Sequence, residues 1–453
     1  MEVAKEARTK KNAPTFRQGS HETVWSELST HTTKEGTEKP DCTSENFLTI
    51  LRRDNKFSSI RFNTLSFAPE YVKDGVRRRW RDADAAAARV YIESNYHIFS
   101  IPKYRDAFHA FCQEREYHPV QEMIKGVVWD RKPRVESFLV RWMGAEDTPY
   151  NRECSRIIFA GGINRAFNPG CKHDEVIVFV GGQGGGKTTM CQWLALDSDF
   201  YSSIKTFTGQ RSYEACQGTW IGEIEELLAT IASDRGGLKK EENAKAFISA
   251  TSDNYRRPYG ELSEHYPRSC IFIGTTNRDT FLTDPTGNRR WYPVRCNGSA
   301  ATLYANEAEV KAEILQCWAE MYHAYQAGDE FARSIPKAEL MKTIKAHQED
   351  ATIDDPMVGV IGEYLKDKDK VCIKEIWDKV YYPYALQPPE IKQKDSEKIG
   401  NIIVHKFKWE RTKNSVQCGP YGKQRAFIRT KESTVDYDIP EEWEQAEQTA
   451  GLI

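Results

Sequence analysis

A chain of 453 residues, 39% hydrophobic, is long enough for two or three domains with a sizeable core. Its formal net charge of −2 excludes a uniformly basic nucleic-acid binder, so any such surface must be a local patch. The 11 cysteines are scattered singly, with no C-x-x-C pair, which speaks against a zinc ribbon or a disulfide framework and fits a reducing cytoplasm. No apolar run approaches the roughly 20 residues of a membrane span, and the polar N-terminus lacks a signal-peptide core, so no membrane partner is expected.

Residues 1–45, rich in Thr, Lys, Glu and Ser, predict a disordered leader. Residues 46–145 predict an accessory region suited to oligomerisation, with aperiodic apolar runs up to residue 76 and helices from 77 onward. Arg77-Arg78-Arg79-Trp80-Arg81 is a basic run, either a DNA contact or a solvated helix end. Asp82 or Asp84 can cap the alanine-rich helix that follows. Ser100-Ile101-Pro102 opens another, with Tyr104, Phe108 and Phe111 on one face, and Pro119 starts a third after His118.

Residues 146–335 read as an α/β domain on a parallel sheet. The apolar run Val176-Ile177-Val178-Phe179-Val180 enters Gly181-Gly182-Gln183-Gly184-Gly185-Gly186-Lys187-Thr188-Thr189, and Met190, Trp193 and Leu194 continue as an amphipathic helix. Strand, glycine loop and helix fit G-x-x-x-x-G-K-[ST]. Glycines such as Gly181, Gly184 and Gly186 let successive N–H groups point at phosphate oxygens, and the helix N-terminus adds its positive end beside Thr189. Lys187 can reach the β- and γ-phosphates and Thr188 can ligate Mg²⁺. ATP and Mg²⁺ are therefore the expected ligands.

The run Trp220-Ile221-Gly222-Glu223-Ile224-Glu225-Glu226-Leu227 reads as a buried strand ending in acids. Glu223 can hold the metal shell and Glu226 can polarise water, with Glu225 a rival for either role. Residues 241–250 form a short helix carrying Lys245, a candidate DNA contact. In Asp253-Asn254-Tyr255-Arg256-Arg257-Pro258-Tyr259-Gly260, basic and aromatic residues alternate around a turn. That suits a hairpin gripping a single strand through Arg256, Arg257 and Tyr259, or an ordinary surface loop with buried tyrosines.

Cys270-Ile271-Phe272-Ile273-Gly274-Thr275-Thr276-Asn277 is a second buried strand, whose Asn277 either orients water near the γ-phosphate or caps a turn. Asp284-Pro285-Thr286-Gly287-Asn288-Arg289-Arg290-Trp291 presents two arginines. Either Arg289 or Arg290 reaches a neighbouring subunit's γ-phosphate, or each is held in an intrachain salt bridge. Asn306 can cap a long helix bearing Val310, Ile314, Trp318, Met321 and Tyr325, which Gly328 closes.

Residues 336–355 predict a polar linker. Residues 356–432 follow the order helix, strand, helix, helix, hairpin of a winged helix. Lys398, Lys406, Lys423 and Arg425 there form a basic face for DNA phosphates or for a protein partner. Residues 433–453 predict an acidic tail.

The combination of the 218–227 run, Lys245-Ala246-Phe247-Ile248-Ser249, the 253–260 run, Gly274-Thr275-Thr276-Asn277-Arg278 and the 284–290 run closely resembles the virulence-associated protein E (VirE) family. These are P-loop ATPases of phages and mobile elements, similar to superfamily-three and poxvirus-type primase-helicases. His118-Pro119-Val120, Val128-Trp129-Asp130, Arg165-Ala166-Phe167 and Pro169-Gly170-Cys171-Lys172 extend the likeness upstream. The resemblance implies an α/β P-loop NTPase (AAA+-like) core with an N-terminal helical region and a C-terminal winged-helix domain. It also implies a hexameric ring with sites between subunits, acting on single-stranded DNA and forked duplex in a bacterial cytoplasm.

Two departures stand out. The stretch before residue 77 is too short for the primase domain that many relatives carry, which points to a separate primase, and Glu225 is an extra acid beside Glu226. The reading is an ATP-driven replicative helicase. Its alternatives are an origin-binding initiator or helicase-loader ATPase, and a nucleotide-gated scaffold or defence protein.

Overall fold

The computed structural model describes residues 21–226, 237–255, 264–282, 288–353 and 356–430. Two compact units divide the chain: Met1–Asp279 with Arg289–Gln348, and Thr280–Asn288 with Glu349–Ile453.

The first unit is built on an all-parallel five-stranded sheet of β1 (Val176–Val180), β2 (Tyr201–Ser203), β3 (Ile221–Ile224), β4 (Ile271–Thr276) and β5 (Trp291–Arg295). Their order is β5-β1-β4-β3-β2. Every residue of β1, β3 and β4 is buried, as expected of central parallel strands covered on both faces. The surrounding helices include α1 (Pro149–Phe167), α2 (Lys187–Leu194), α3 (Gly237–Ser249), α4 (Ala300–Ala305) and α5 (Glu307–Ala327). Helix α1 is buried along most of its length, and Trp220 joins it to α5. The Trp220 indole donates to the Gly162 carbonyl (3.0 Å) and packs 4.3 Å from the Trp318 ring. Helix α5 ends at Gly328 in the left-handed region, as its sequence predicts. Asn306 precedes α5, but its side-chain amide bonds back to the Thr302 carbonyl (2.8 Å) instead of capping.

Upstream, the region expected to be helical from residue 77 is mixed. Val76–Arg79, Ala68–Lys73, Arg61–Asn63 and Glu116–Tyr117 form a four-stranded sheet in that order. The arginine run is thus an edge strand and not a helix end. Asp74 and Gly75 (φ 54° and 74°) turn it back onto the preceding strand, the conformation a tight hairpin turn requires. Beyond it the expected helices form, but Arg81, and neither Asp82 nor Asp84, is the cap residue of the alanine-rich helix Asp82–Tyr96. Helix Ile101–Glu114 buries Tyr104, Phe108 and Phe111, and Asp84 accepts the Arg81 backbone N–H (2.9 Å). His118 caps helix Pro119–Lys125, its Nδ1 accepting the Gln121 N–H (3.4 Å).

Two further expectations are corrected. The leader is folded from His21: helix His21–Trp25 and a small hairpin (Thr30–Thr32 with Glu38–Pro40) precede helix Ser44–Arg53. Val24 and Leu28 pack into the same core as Phe47 and Ile50, so scattered apolar residues suffice once a partner helix is present. The linker expected over 336–355 contains helix Met341–Asp350, which buries Ile344 and Gln348.

The second unit has helix Met357–Leu365, strand Lys370–Cys372, helix Ile373–Ile376 continuing as a π-turn through Trp377–Tyr381, and helix Gln393–Asn401. Strand Ala426–Ile428 pairs antiparallel with Lys370–Cys372 on one side and Glu410–Arg411 on the other. Ile361, Trp377, Ile399, Ile403, Trp409 and Phe427 share its core. The segment that leaves the first unit after β4 belongs here, since the Phe281 and Leu282 N–H groups both donate to the Ala351 carbonyl (2.8 and 3.0 Å). The expected acidic tail lies outside the described residues. Among the described residues no helix is long and apolar enough to cross a membrane.

Candidate functional site

The glycine loop of residues 181–186 leaves β1 at the C-terminal edge of the sheet and enters α2 at Lys187. Gly184 and Gly186 adopt φ of 78° and 79°, where a side chain would be strained. The loop is clamped from the β5 side. The Cys296 N–H donates to Val180 (2.7 Å), the Ala300 N–H to Gly184 (2.8 Å), and a Cβ on Gly186 would stand 2.5 Å from Leu303 Cδ1. On the β4 side, the Gly181 N–H donates to Thr276 (3.1 Å). The Lys187 ammonium folds over the loop and donates to the carbonyls of Gly181 and Gly182 (2.7 Å each). Burial holds its pKa below the usual lysine value, with nearby Cys296 and Glu223 working the other way. A cation whose hydrogen bonds go to carbonyls at a helix N-terminus can exchange them for an anion.

Glu223 faces this loop from β3 and is fully buried. Its Oε1 accepts Thr188 Oγ1 (2.8 Å) and Thr275 Oγ1 (2.8 Å), and its Oε2 accepts the Tyr201 hydroxyl (2.6 Å). Burial first, then the bond to Glu223, keeps that phenol protonated. No motif in the sequence marks Tyr201 or Thr275 as a partner of this acid. Thr275 lies within the 270–277 strand run, and strand alternation aims it at the acid once the β3–β4 register is known. Tyr201, on a short edge strand, carries no local signal.

These side chains suit Mg²⁺. A hard cation takes oxygen ligands, and the hydroxyl of exposed Thr188 and the carboxylate of Glu223 converge at the head of the loop. No cluster of three or more His, Cys, Asp or Glu exists among the described residues, so phosphate and water oxygens must complete such a shell.

The other acids lie just past β3. Glu225 is half-buried in the turn that follows β3, and its charge acts on Cys191 and Tyr201. Glu226 follows in an exposed turn with φ of 43°, a conformation that a residue other than glycine rarely adopts. Asn277 is exposed directly beyond β4, next to the carbonyl that holds Gly181. Thr189, one residue past Thr188 on α2, is half-buried.

Arg289 and Arg290 stand at the opposite edge of the sheet. They precede β5, whose first residue, Trp291, pairs with Val176 at the start of β1, while Arg295 pairs with Val180. Five residues of strand separate the two edges, about 15 Å. Neither arginine therefore serves the loop of its own chain. Arg290 is partly buried and engaged, with Nε donating to Ser249 Oγ (2.8 Å) and lying 3.8 Å from Asp174 Oδ2. Burial and the Arg289 charge push its pKa down. Arg289 is exposed.

Ser249 ends α3, so the base of the following hairpin shares this edge. Ser252–Tyr255 pairs antiparallel with Glu264–Pro267. Arg268 locks that base through a buried two-pronged bridge to Asp253 (2.7 and 2.8 Å) and a bond to the Phe247 carbonyl. Arg256, Arg257 and Tyr259, expected to grip a single strand, lie outside the described residues. Lys245 is half-buried on α3. In the second unit, Lys398 is exposed on helix Gln393–Asn401, Lys406 is half-buried after it, and Lys423 and Arg425 are exposed beside strand Ala426–Ile428.

Fold and site together define a mixed α/β protein with a parallel-sheet core, a glycine loop and a buried acid meeting at one edge of that sheet. The model of the virulence-associated protein E-like domain matches residues 124–353, just over half of the chain. The chain belongs to this family. Among solved structures it is similar to the apo C-terminal region of NrS-1, at 12% identity over 82% of this chain and 96% of that one, with a TM-score of 0.45. The A-form apo structure of the same region matches at 13% identity over the same shares, with a TM-score of 0.44.

Proposed function

We propose that this protein is an ATP-driven DNA helicase serving the replication of a phage or mobile genetic element, with its AAA+-like sites completed between subunits of a ring. One observation carries the reading: Lys187, Thr188 and Glu223 meet at one edge of the sheet, while exposed Arg289 stands at the other. A motor whose subunits pack edge to edge would bring the two together.

The chemistry follows from the side chains. Lys187 exchanges its carbonyl partners for β- and γ-phosphate oxygens, and the loop N–H groups cradle the chain of phosphates. Thr188 and Glu223 would hold Mg²⁺, which supplies charge neutralisation on the phosphates when bound. Asn277 orients a water, and Glu226 takes its proton as the water oxygen attacks the γ-phosphorus. The bond to the β-phosphate oxygen breaks, leaving ADP and phosphate. Arg289 of the neighbouring subunit stabilises the charge that spreads over the transferring group. The hairpin segment between α3 and β4, through Arg256, Arg257 and Tyr259, together with Lys245 on α3, follows a single strand. The second unit, read as a winged helix, holds duplex through Lys398, Lys406, Lys423 and Arg425.

The test is ATP hydrolysis by the purified chain with and without single-stranded DNA. Stimulation by DNA, lost in Lys187→Ala, supports the proposal. Hydrolysis indifferent to DNA contradicts it.

A further inference from the structure

Tyr304 on α4 is 57% exposed, although it belongs to the segment that clamps the glycine loop. Its hydroxyl lies 3.4 Å from Thr189 Oγ1, on the residue directly after the Lys187-Thr188 pair. Its ring stands edge-on to Trp193, one turn further along α2, at 5.6 Å and 89°. Two anchors fix its position: Ala300, the first residue of α4, donates to Gly184, and buried Leu303 packs on Gly186. The anchored segment therefore holds an aromatic ring beside the loop while leaving it open to solvent.

Topology gives that position a meaning. Glu223 and Asn277 lie on β3 and just past β4, to one side of β1, and α4 follows β5 on the other. A phosphate chain laid across the loop with its reacting end toward Glu223 must direct its opposite end, which carries the nucleoside, toward α4. We propose that Tyr304 is the platform on which the base of the bound nucleoside triphosphate stacks, with Trp193 buttressing the ring and Thr189 facing the α-phosphate end. This rests on the reading of the glycine loop as a nucleotide site. Stacking on a π-face tolerates different bases, so the site takes nucleoside triphosphates as a class and gains affinity from the base itself.

Calorimetric titration of the full chain with ATP and with inorganic tripolyphosphate, which lacks a nucleoside, tests this. Tyr304→Ala is expected to weaken ATP about tenfold and to leave tripolyphosphate within about twofold, while Tyr304→Phe retains ATP affinity. Equal weakening of both ligands by Tyr304→Ala, or no weakening of ATP, overturns the platform but leaves the loop as a phosphate site. Failure of the unaltered chain to bind either ligand overturns the nucleotide reading itself, and the platform with it.

Discussion

Thr188 and Glu223, 35 positions apart in the chain, are joined by a 2.8 Å hydrogen bond across the head of the glycine loop. Two other hydroxyls, from Thr275 and Tyr201, hold the same carboxylate from β4 and β2. Three donors from three elements fix one buried acid, so its orientation is set before any ligand arrives. Thr275→Val removes one donor without changing the side chain's shape. It should destabilise the fold by about 1 kcal/mol in urea titration. It should also lower kcat for ATP about tenfold with little change in KM, because the loss falls on positioning and not on binding the phosphates.

The acids past β3 make opposing claims: Glu225 is close enough for its charge to act on Tyr201, a partner of Glu223, while Glu226 sits in a strained turn. Strain at a residue other than glycine persists where the surroundings demand it, and this favours Glu226 as the base. Glu226→Gln should cut kcat at least about a hundredfold while ATP still binds, and Glu225→Gln less than about tenfold. Single-turnover hydrolysis of radiolabelled ATP checks this, and the reverse ranking transfers the role to Glu225.

Arg289 and Arg290 should separate by stability. Arg290→Ala deprives the partly buried Asp174 and Ser249 of their partner and should lower stability by about 1–2 kcal/mol, whereas Arg289→Ala should leave the melting temperature unchanged. If Arg289 acts across a subunit boundary, Arg289→Ala and Lys187→Ala chains are each inactive alone. Mixed, they should regain hydrolysis, because an intact loop then meets an intact arginine. A mixture no more active than its components removes Arg289 from the mechanism.

His118 makes a prediction about pH. Burial, and then the charge of Lys125, pushes its pKa down to about 4 from an ordinary 6.5, and its neutral Nδ1 caps helix Pro119–Lys125. The unfolded chain binds a proton near 6.5 that the folded chain refuses until about 4. The contribution is therefore complete above pH 6.5 and lost as pH falls toward 4, at about 1 kcal/mol per pH unit. His118→Asn keeps a capping acceptor with nothing to titrate. Its urea midpoint should fall less steeply than that of the unaltered chain over this window.

Much of the site was legible because it is local. The loop of residues 181–189 and the strands ending at Glu223 and Asn277 are short patterns whose meaning lies within ten residues, and the structure puts them at one edge of one sheet. What was not legible depends on distant pairing. The arginine run at 77–79 became a strand because Asp74 and Gly75 fold it onto residues 68–73, and charge composition alone does not report a register. Tyr201 reached Glu223 only through the alignment of β2 with β3. Residues 21–45 folded because Val24 and Leu28 found a core formed by residues as far away as Phe111. The placement of Arg289 and Arg290 at the far edge required the parallel pairing of β5 with β1, which no motif encodes.

The central claim is tested most directly by strand displacement on a forked duplex, comparing the unaltered chain with Lys187→Ala at matched concentration. The account predicts release of the labelled strand that requires ATP and is absent in Lys187→Ala. Sustained ATP hydrolysis by the unaltered chain with no strand released from forks presenting either a 5′ or a 3′ tail would contradict it.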